Sequence, residues 1–127
     1  NRHEAEELIG RSLRSRRDVF EAARELVRRG PQCAMISLGA DGAVLAAASP
    51  PTLLFAASPR VRTNSPVGAG DSLVAGFVIG WLRTRSFRRA LQLGVACGAA
   101  CAMTPGTELF HRADALRLVR RVAIEAV

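Results

Sequence analysis

The segment Ser65-Pro66-Val67-Gly68-Ala69-Gly70-Asp71-Ser72 places two glycines and an acid directly ahead of an apolar stretch, Leu73 to Leu82. Few junctions restrict a chain as much. With no side chain at Gly68 or Gly70, an anion can approach the backbone N–H groups, and a helix starting there adds a positive dipole end of about half a charge. A carboxylate at Asp71 would then stand beside an anion pocket, where it can hold or deprotonate a hydroxyl. The same residues also suit an ordinary helix start, with Pro66 and the glycines as the turn and Asp71 or Ser72 as the cap. Local chemistry leaves both readings open.

Composition narrows the field. A chain of 127 residues, 49% hydrophobic and poor in aromatics, fits one globular domain with a core of Ala, Val and Leu. It has no uninterrupted apolar run of about 18 residues, and its start, Asn1-Arg2-His3-Glu4, is polar, unlike a signal peptide. A soluble, cytoplasmic chain without a membrane partner is therefore expected. All 18 basic residues are arginine and 22 residues are alanine, so the net charge of +7 reads as compositional bias. The arginines are scattered, with no aromatic interleaving and no groove-reading motif, so no nucleic-acid partner is expected. The absence of lysine excludes a Walker-type phosphate loop, a protein-kinase core and Schiff-base chemistry within these residues. Cys33, Cys97 and Cys101 lack the spacing of a disulfide framework or zinc site and read as small buried residues.

Periodicity predicts a helix over 18–29, with Val19, Ala22, Ala23, Leu26 and Val27 on one stripe, Asp18 and Glu21 as a capping box, and Gly30-Pro31 as the stop. Cys33 to Leu38 follows as a short buried strand ending in Gly39-Ala40-Asp41-Gly42. Residues 43–48 and 52–56 read as a hairpin around Ser49-Pro50-Pro51. Three more helices are expected over 71–84, 87–103 and 112–126. The middle one is built of small residues, which admit either a closely packed helix or a flat ligand. There is no internal repeat or linker, so residues 1–127 form one unit. Asn1 opens without Met or a strand, and few strands are present to fill a sheet, so a preceding part is expected to be missing.

Four motifs now stand in order: Asn1-Arg2-His3-Glu4, Ser37-Leu38-Gly39-Ala40-Asp41-Gly42, Gly68-Ala69-Gly70-Asp71 and Thr104-Pro105-Gly106-Thr107. Together they resemble the motifs of ribokinase-like (PfkB-type) carbohydrate kinases, over essentially the whole chain. The resemblance implies an α/β fold, the C-terminal part of a three-layer α/β/α sandwich, with the N-terminal half and its lid missing. Ser65-Pro66-Val67 is similar to the phosphosugar branch, which includes phosphofructokinases and tagatose-6-phosphate kinases. Thr104 to Leu109 is similar to the 6-phosphofructokinases, with 1-phosphofructokinase and tagatose-6-phosphate kinase as alternatives.

The resemblance also implies roles. Asp71 would be the catalytic base, and the N–H groups of Gly68, Ala69 and Gly70 would hold the transferring phosphoryl group. Ser37, Leu38, Gly39, Ala40, Asp41 and Gly42, with Val95, Ala99 and Gly106, would bind ATP. Asn1 and Glu4 would help organise Mg²⁺, mostly through water. Ser65, Thr104 and Glu108 depart from the loops in which relatives often bind a monovalent cation, so potassium is a conditional cofactor. The partners implied are ATP and a phosphorylated ketohexose, with the intact protein a homodimer. These 127 residues alone would lack the sugar site, which makes an inactive nucleotide-binding module the competing expectation.

Overall fold

The computed structural model describes all 127 residues. The chain runs α1 (Arg2–Ile9), α2 (Arg16–Arg28), β1 (Cys33–Ser37), a single 3-10 turn (Gly39–Asp41), β2 (Gly42–Ala47), β3 (Thr52–Ala57), α3 (Ala69–Thr84), α4 (Phe87–Met103), α5 (Arg112–Val119) and β4 (Ala123–Ala126). The strands form one antiparallel meander in the order β1-β2-β3-β4, with Ile36 opposite Val44 and Leu45 opposite Leu54. The β2–β3 turn contains a cis Ser49–Pro50 peptide.

Strand alternation assigns the layers. Along β2 and β3, Ala43, Leu45, Leu54 and Ala56 enter one core with Leu73 of α3, Leu91 and Val95 of α4, and Leu118 of α5. Their neighbours Val44, Ala46, Leu53 and Phe55 enter a second core with Ala5 of α1 and Val19, Ala22 and Ala23 of α2. Side chains two apart share a face, so both faces of these strands are apolar and both are covered. The result is the expected α/β/α sandwich. Burying a Val or Leu side chain contributes about 1.5–3 kcal/mol, so the two central strands hold the layers together from both sides.

Two sequence expectations shift. Helix α2 begins earlier than 18: its cap is Ser15, whose hydroxyl accepts from Asp18 N–H (3.1 Å) while the Asp18 carboxylate accepts from Ser15 N–H (2.7 Å). Asp18 is thus the last residue of the box rather than its first. Its backbone and side-chain bonds to Ser15 hold its carboxyl below the usual range. Because the folded value is lowered, this stabilisation is present above the ordinary carboxylate range and fades as pH falls through the folded value. Ser15→Ala is expected to cost about 1 kcal/mol in urea unfolding, as loss of a serine cap does.

The predicted helix over 112–126 is instead a helix and a strand. After α5 the chain turns at Arg120-Arg121, and β4 joins the open edge of β3 with Ile124 opposite Ala56. Gln92 Nε2 donates to Val119 O (3.0 Å) and Arg88 Nη1 to Ile124 O (3.1 Å), so α4 satisfies carbonyls that a longer helix would have used itself. Arg16 reinforces the edge, its guanidinium 4.0 Å from the Phe55 ring centroid and 3.4 Å from Glu125.

Helices α3 and α4 form a hairpin closed by stacked Trp81 and Phe87 rings, 4.4 Å between centroids. One stripe of α3 has no cover: Val74, Val78, Ile79 and Leu82 are 52, 47, 44 and 61% exposed. No helix is long and apolar enough to cross a membrane.

Candidate functional site

After β3 the chain crosses through residues 58–65 and enters the glycine turn. Gly68 takes a left-handed conformation (φ 78°) and occupies the cap position of α3, where it offers no side chain to the first-turn amides. Ser72 N–H bonds to Gly68 O (2.9 Å) and Ala69 N–H to Pro66 O (3.2 Å). The N–H groups of Gly70 and Asp71 come too early in a 16-residue helix to have intrahelical partners. Of the three amides expected to hold an anion, Ala69 is thus engaged internally, and the free donors run on to Asp71. The Asp71 side chain is exposed.

The last turn of α4 holds this turn in place. Ala102 O accepts from Asn64 N–H (2.8 Å) and Ser65 N–H (3.2 Å), Met103 O from Asn64 Nδ2 (2.6 Å), and the Cys101 thiol donates to Val67 O (3.4 Å). Carbonyls left over at one helix end thereby fix the approach to the other. Closer packing follows from glycine. A Cβ at Gly94 would lie 2.7 Å from Leu73 O, and one at Gly98 3.1 Å from Ala69 O. Cys97 fills the space beside Gly76, and burial pushes its thiol pKa up.

A cleft of about 660 Å³ opens in front of the turn. Ser37, Gly39, Ala40 and Gly42 line one side, Ala69 and Gly70 another, and Val95 and Ala99 of α4 a third; Asn1 stands at the rim. The small-residue helix therefore meets both expectations, packing tightly on α3 and giving the cleft a smooth apolar wall. Gly68, Leu38, Asp41, Asp71 and Glu4 lie off the lining, as does Gly106 in its exposed loop. Asp71 nevertheless follows directly on Gly70. Asn1 caps α1, its side-chain oxygen accepting from Glu4 N–H (3.1 Å), while the Glu4 carboxylate accepts from the backbone nitrogen of Asn1. Gly42 lines the cleft and also makes a close approach to β3, since a Cβ there would lie 1.9 Å from Ala56 O.

The pfkB family carbohydrate kinase model covers residues 1–112. The chain belongs to that family. It is 36% identical over 125 residues to the 1-phosphofructokinase of Escherichia coli (strain K12), which covers 98% of this chain and 39% of that protein. It is equally identical over 121 residues to the ATP-dependent 6-phosphofructokinase isozyme 2 of Mycobacterium tuberculosis (strain H37Rv), covering 94% of this chain and 35% of the relative. The structure of phosphofructokinase-2 from E. coli in complex with potassium superposes with a TM-score of 0.88 at 30% identity, over 95% of this chain and 39% of that one. The chain thus spans under two fifths of the length of these relatives, and its three layers are part of the ribokinase-like fold.

Within this pfkB-family chain, sequence reasoning overlooked the crossover after β3. Ser58, Pro59, Arg60, Val61 and Thr63 all line the cleft. The signal was present in Ser58-Pro59-Arg60, a proline stop after an apolar strand, but no periodicity assigns such a segment to a wall.

Proposed function

We propose that the protein to which this chain belongs transfers the γ-phosphoryl group of ATP to a hydroxyl of a ketohexose phosphate. The observation that carries this reading is the uncapped start of α3, where the N–H groups of Gly70 and Asp71 face outward beside an exposed carboxylate and a cleft. Phosphoryl transfer runs through a loose transition state, so it needs alignment and charge stabilisation more than covalent help. Backbone donors at a helix start stabilise equatorial phosphoryl oxygens without lysine. Asp71 orients the acceptor hydroxyl and takes its proton late in the reaction. The turn at Ser37–Gly42 and the Val95–Ala99 wall hold the nucleotide.

Mg²⁺ suits these residues as a nucleotide-borne ion, since it keeps several waters and needs few protein ligands. The Glu4 side chain is 66% exposed and so can receive a metal-bound water. When bound, Mg²⁺ would neutralise phosphate charge. Potassium stays conditional, because Ser65, Thr104 and Glu108 depart from the loops that bind it in relatives, and replacing K⁺ by Na⁺ in an assay decides whether this protein requires it.

Among acceptors, the ending Thr104 to Leu109 favours fructose 6-phosphate, hence 6-phosphofructokinase. Fructose 1-phosphate and tagatose 6-phosphate are the alternatives. Coupled ADP release by the intact protein is expected to be fastest, by kcat/KM, with fructose 6-phosphate. A higher kcat/KM for either alternative reassigns the acceptor, and no turnover with any of the three overturns the reading. A nucleotide-binding module without transfer is the second reading, favoured by a cleft lined by only one charged side chain, Arg60. Binding of MgATP without turnover would support it.

A further inference from the structure

Arg60 is the only ionisable side chain among the residues lining the cleft; every other lining side chain is apolar or neutral and polar. No carboxylate lies within ion-pair distance of it, and its guanidinium makes no hydrogen bond to the protein. Its backbone is nevertheless fixed. Pro59, directly before it, has its own φ locked by its ring, and Arg60 O accepts from Arg121 Nη2 at 3.1 Å. A guanidinium with no protein partner gives up no ion pair when it meets a ligand, and that offsets part of the rotamer freedom it loses.

The charges within the lining favour an anion, with the Asp71 carboxylate just outside it. The amide end of α3 contributes partial positive charge, and no acidic side chain lines the wall. Guanidinium binds phosphate through two parallel N–H···O bonds, a geometry that an ammonium group does not reproduce. The remaining wall, with Val61, Val95, Ala99 and Ala102, offers nothing charged and suits the flat base of a nucleotide. We infer that Arg60 binds the phosphate chain of the nucleotide and supplies the cation that a lysine-free segment otherwise lacks. This inference rests on the nucleotide reading of the cleft given above.

Titration calorimetry on the full-length protein with MgATP, MgADP and adenosine separates the two. Arg60→Gln is expected to weaken MgATP and MgADP by about tenfold or more and to leave adenosine unchanged, because a charge-assisted bond to phosphate is lost while base contacts remain. Arg60→Lys should restore part of that loss. Arg62→Gln, an exposed neighbour outside the lining, should bind like the wild type. MgATP affinity unchanged in Arg60→Gln overturns the assignment while the nucleotide site stands, and equal weakening of all three ligands overturns it in favour of contact with the base or ribose. Failure of the wild type to bind any nucleotide at millimolar concentration overturns the nucleotide reading itself and this inference with it.

Discussion

Asp71→Asn is expected to lower kcat for phosphoryl transfer by about 10²–10⁴-fold while leaving MgATP affinity within about twofold. The size follows from what the amide lacks. Asparagine keeps the shape of the side chain and its place in the first turn of α3, but it cannot accept the proton released as the acceptor oxygen is phosphorylated. The backbone donors at Gly70 and Asp71 are unaffected, because they depend on the left-handed Gly68 and on the hold of α4 over residues 64–67. Nucleotide binding should therefore persist. Steady-state ADP release gives kcat, and calorimetry with MgATP gives the affinity. A variant with full kcat would remove Asp71 from the chemistry, and one that loses both quantities together would make it a binding residue.

Gly42→Ala is expected to remove most of the protein's stability, at least about 4 kcal/mol, a size reserved for backbone conflicts and large core defects. Gly42 has φ 115° and ψ −135°, a region closed to residues with a Cβ, and the added atom would sit 1.9 Å from Ala56 O and 2.8 Å from Ser58 N. Neither neighbour can swing aside, because both are main-chain atoms at the end of β3. Gly39→Ala is the informative comparison. Gly39 also has a positive φ, 60°, but nothing lies within 4 Å of the position its Cβ would take. The cost there should be only the left-handed penalty, about 1–2 kcal/mol. Urea unfolding of both variants tests the contrast, and similar losses in the two would mean that the β2–β3 contact at Gly42 does not govern stability.

Local signals carried much of the architecture. The breaks at Arg85-Ser86 and Thr104-Pro105 delimit α4 as Phe87–Met103, and short apolar runs on either side of the Ser49-Pro50-Pro51 turn identify β2 and β3 to within a residue. What local signals do not contain is the partner across the fold. Val122 and Ile124 turn inward while Ala123 and Glu125 stay exposed, a period of two that betrays β4. Next to the helical pattern of α5 it was too short to prevail, and only the open edge of β3 decides it. The same limit applies to the site. Gly70, Ser37 and Ala99 were legible because glycine turns and small-residue runs stand out in a sequence. The crossover Ser58 to Thr63 was not, because a loop lacks a period and becomes a wall only when strand and helix bring it there. Gly42 shows a related limit: a glycine marks a close approach, and only the fold reveals that its neighbour is the end of β3.

The bare stripe on α3 lies in line with Asp71. Asp71, Val74, Val78 and Leu82 follow one another at intervals of three and four, so the carboxylate stands at the head of the same helical line as the uncovered apolar residues. One turn of helix rises about 5.4 Å, so anything seated on that line is indexed against Asp71 by a rigid ruler rather than by a loop.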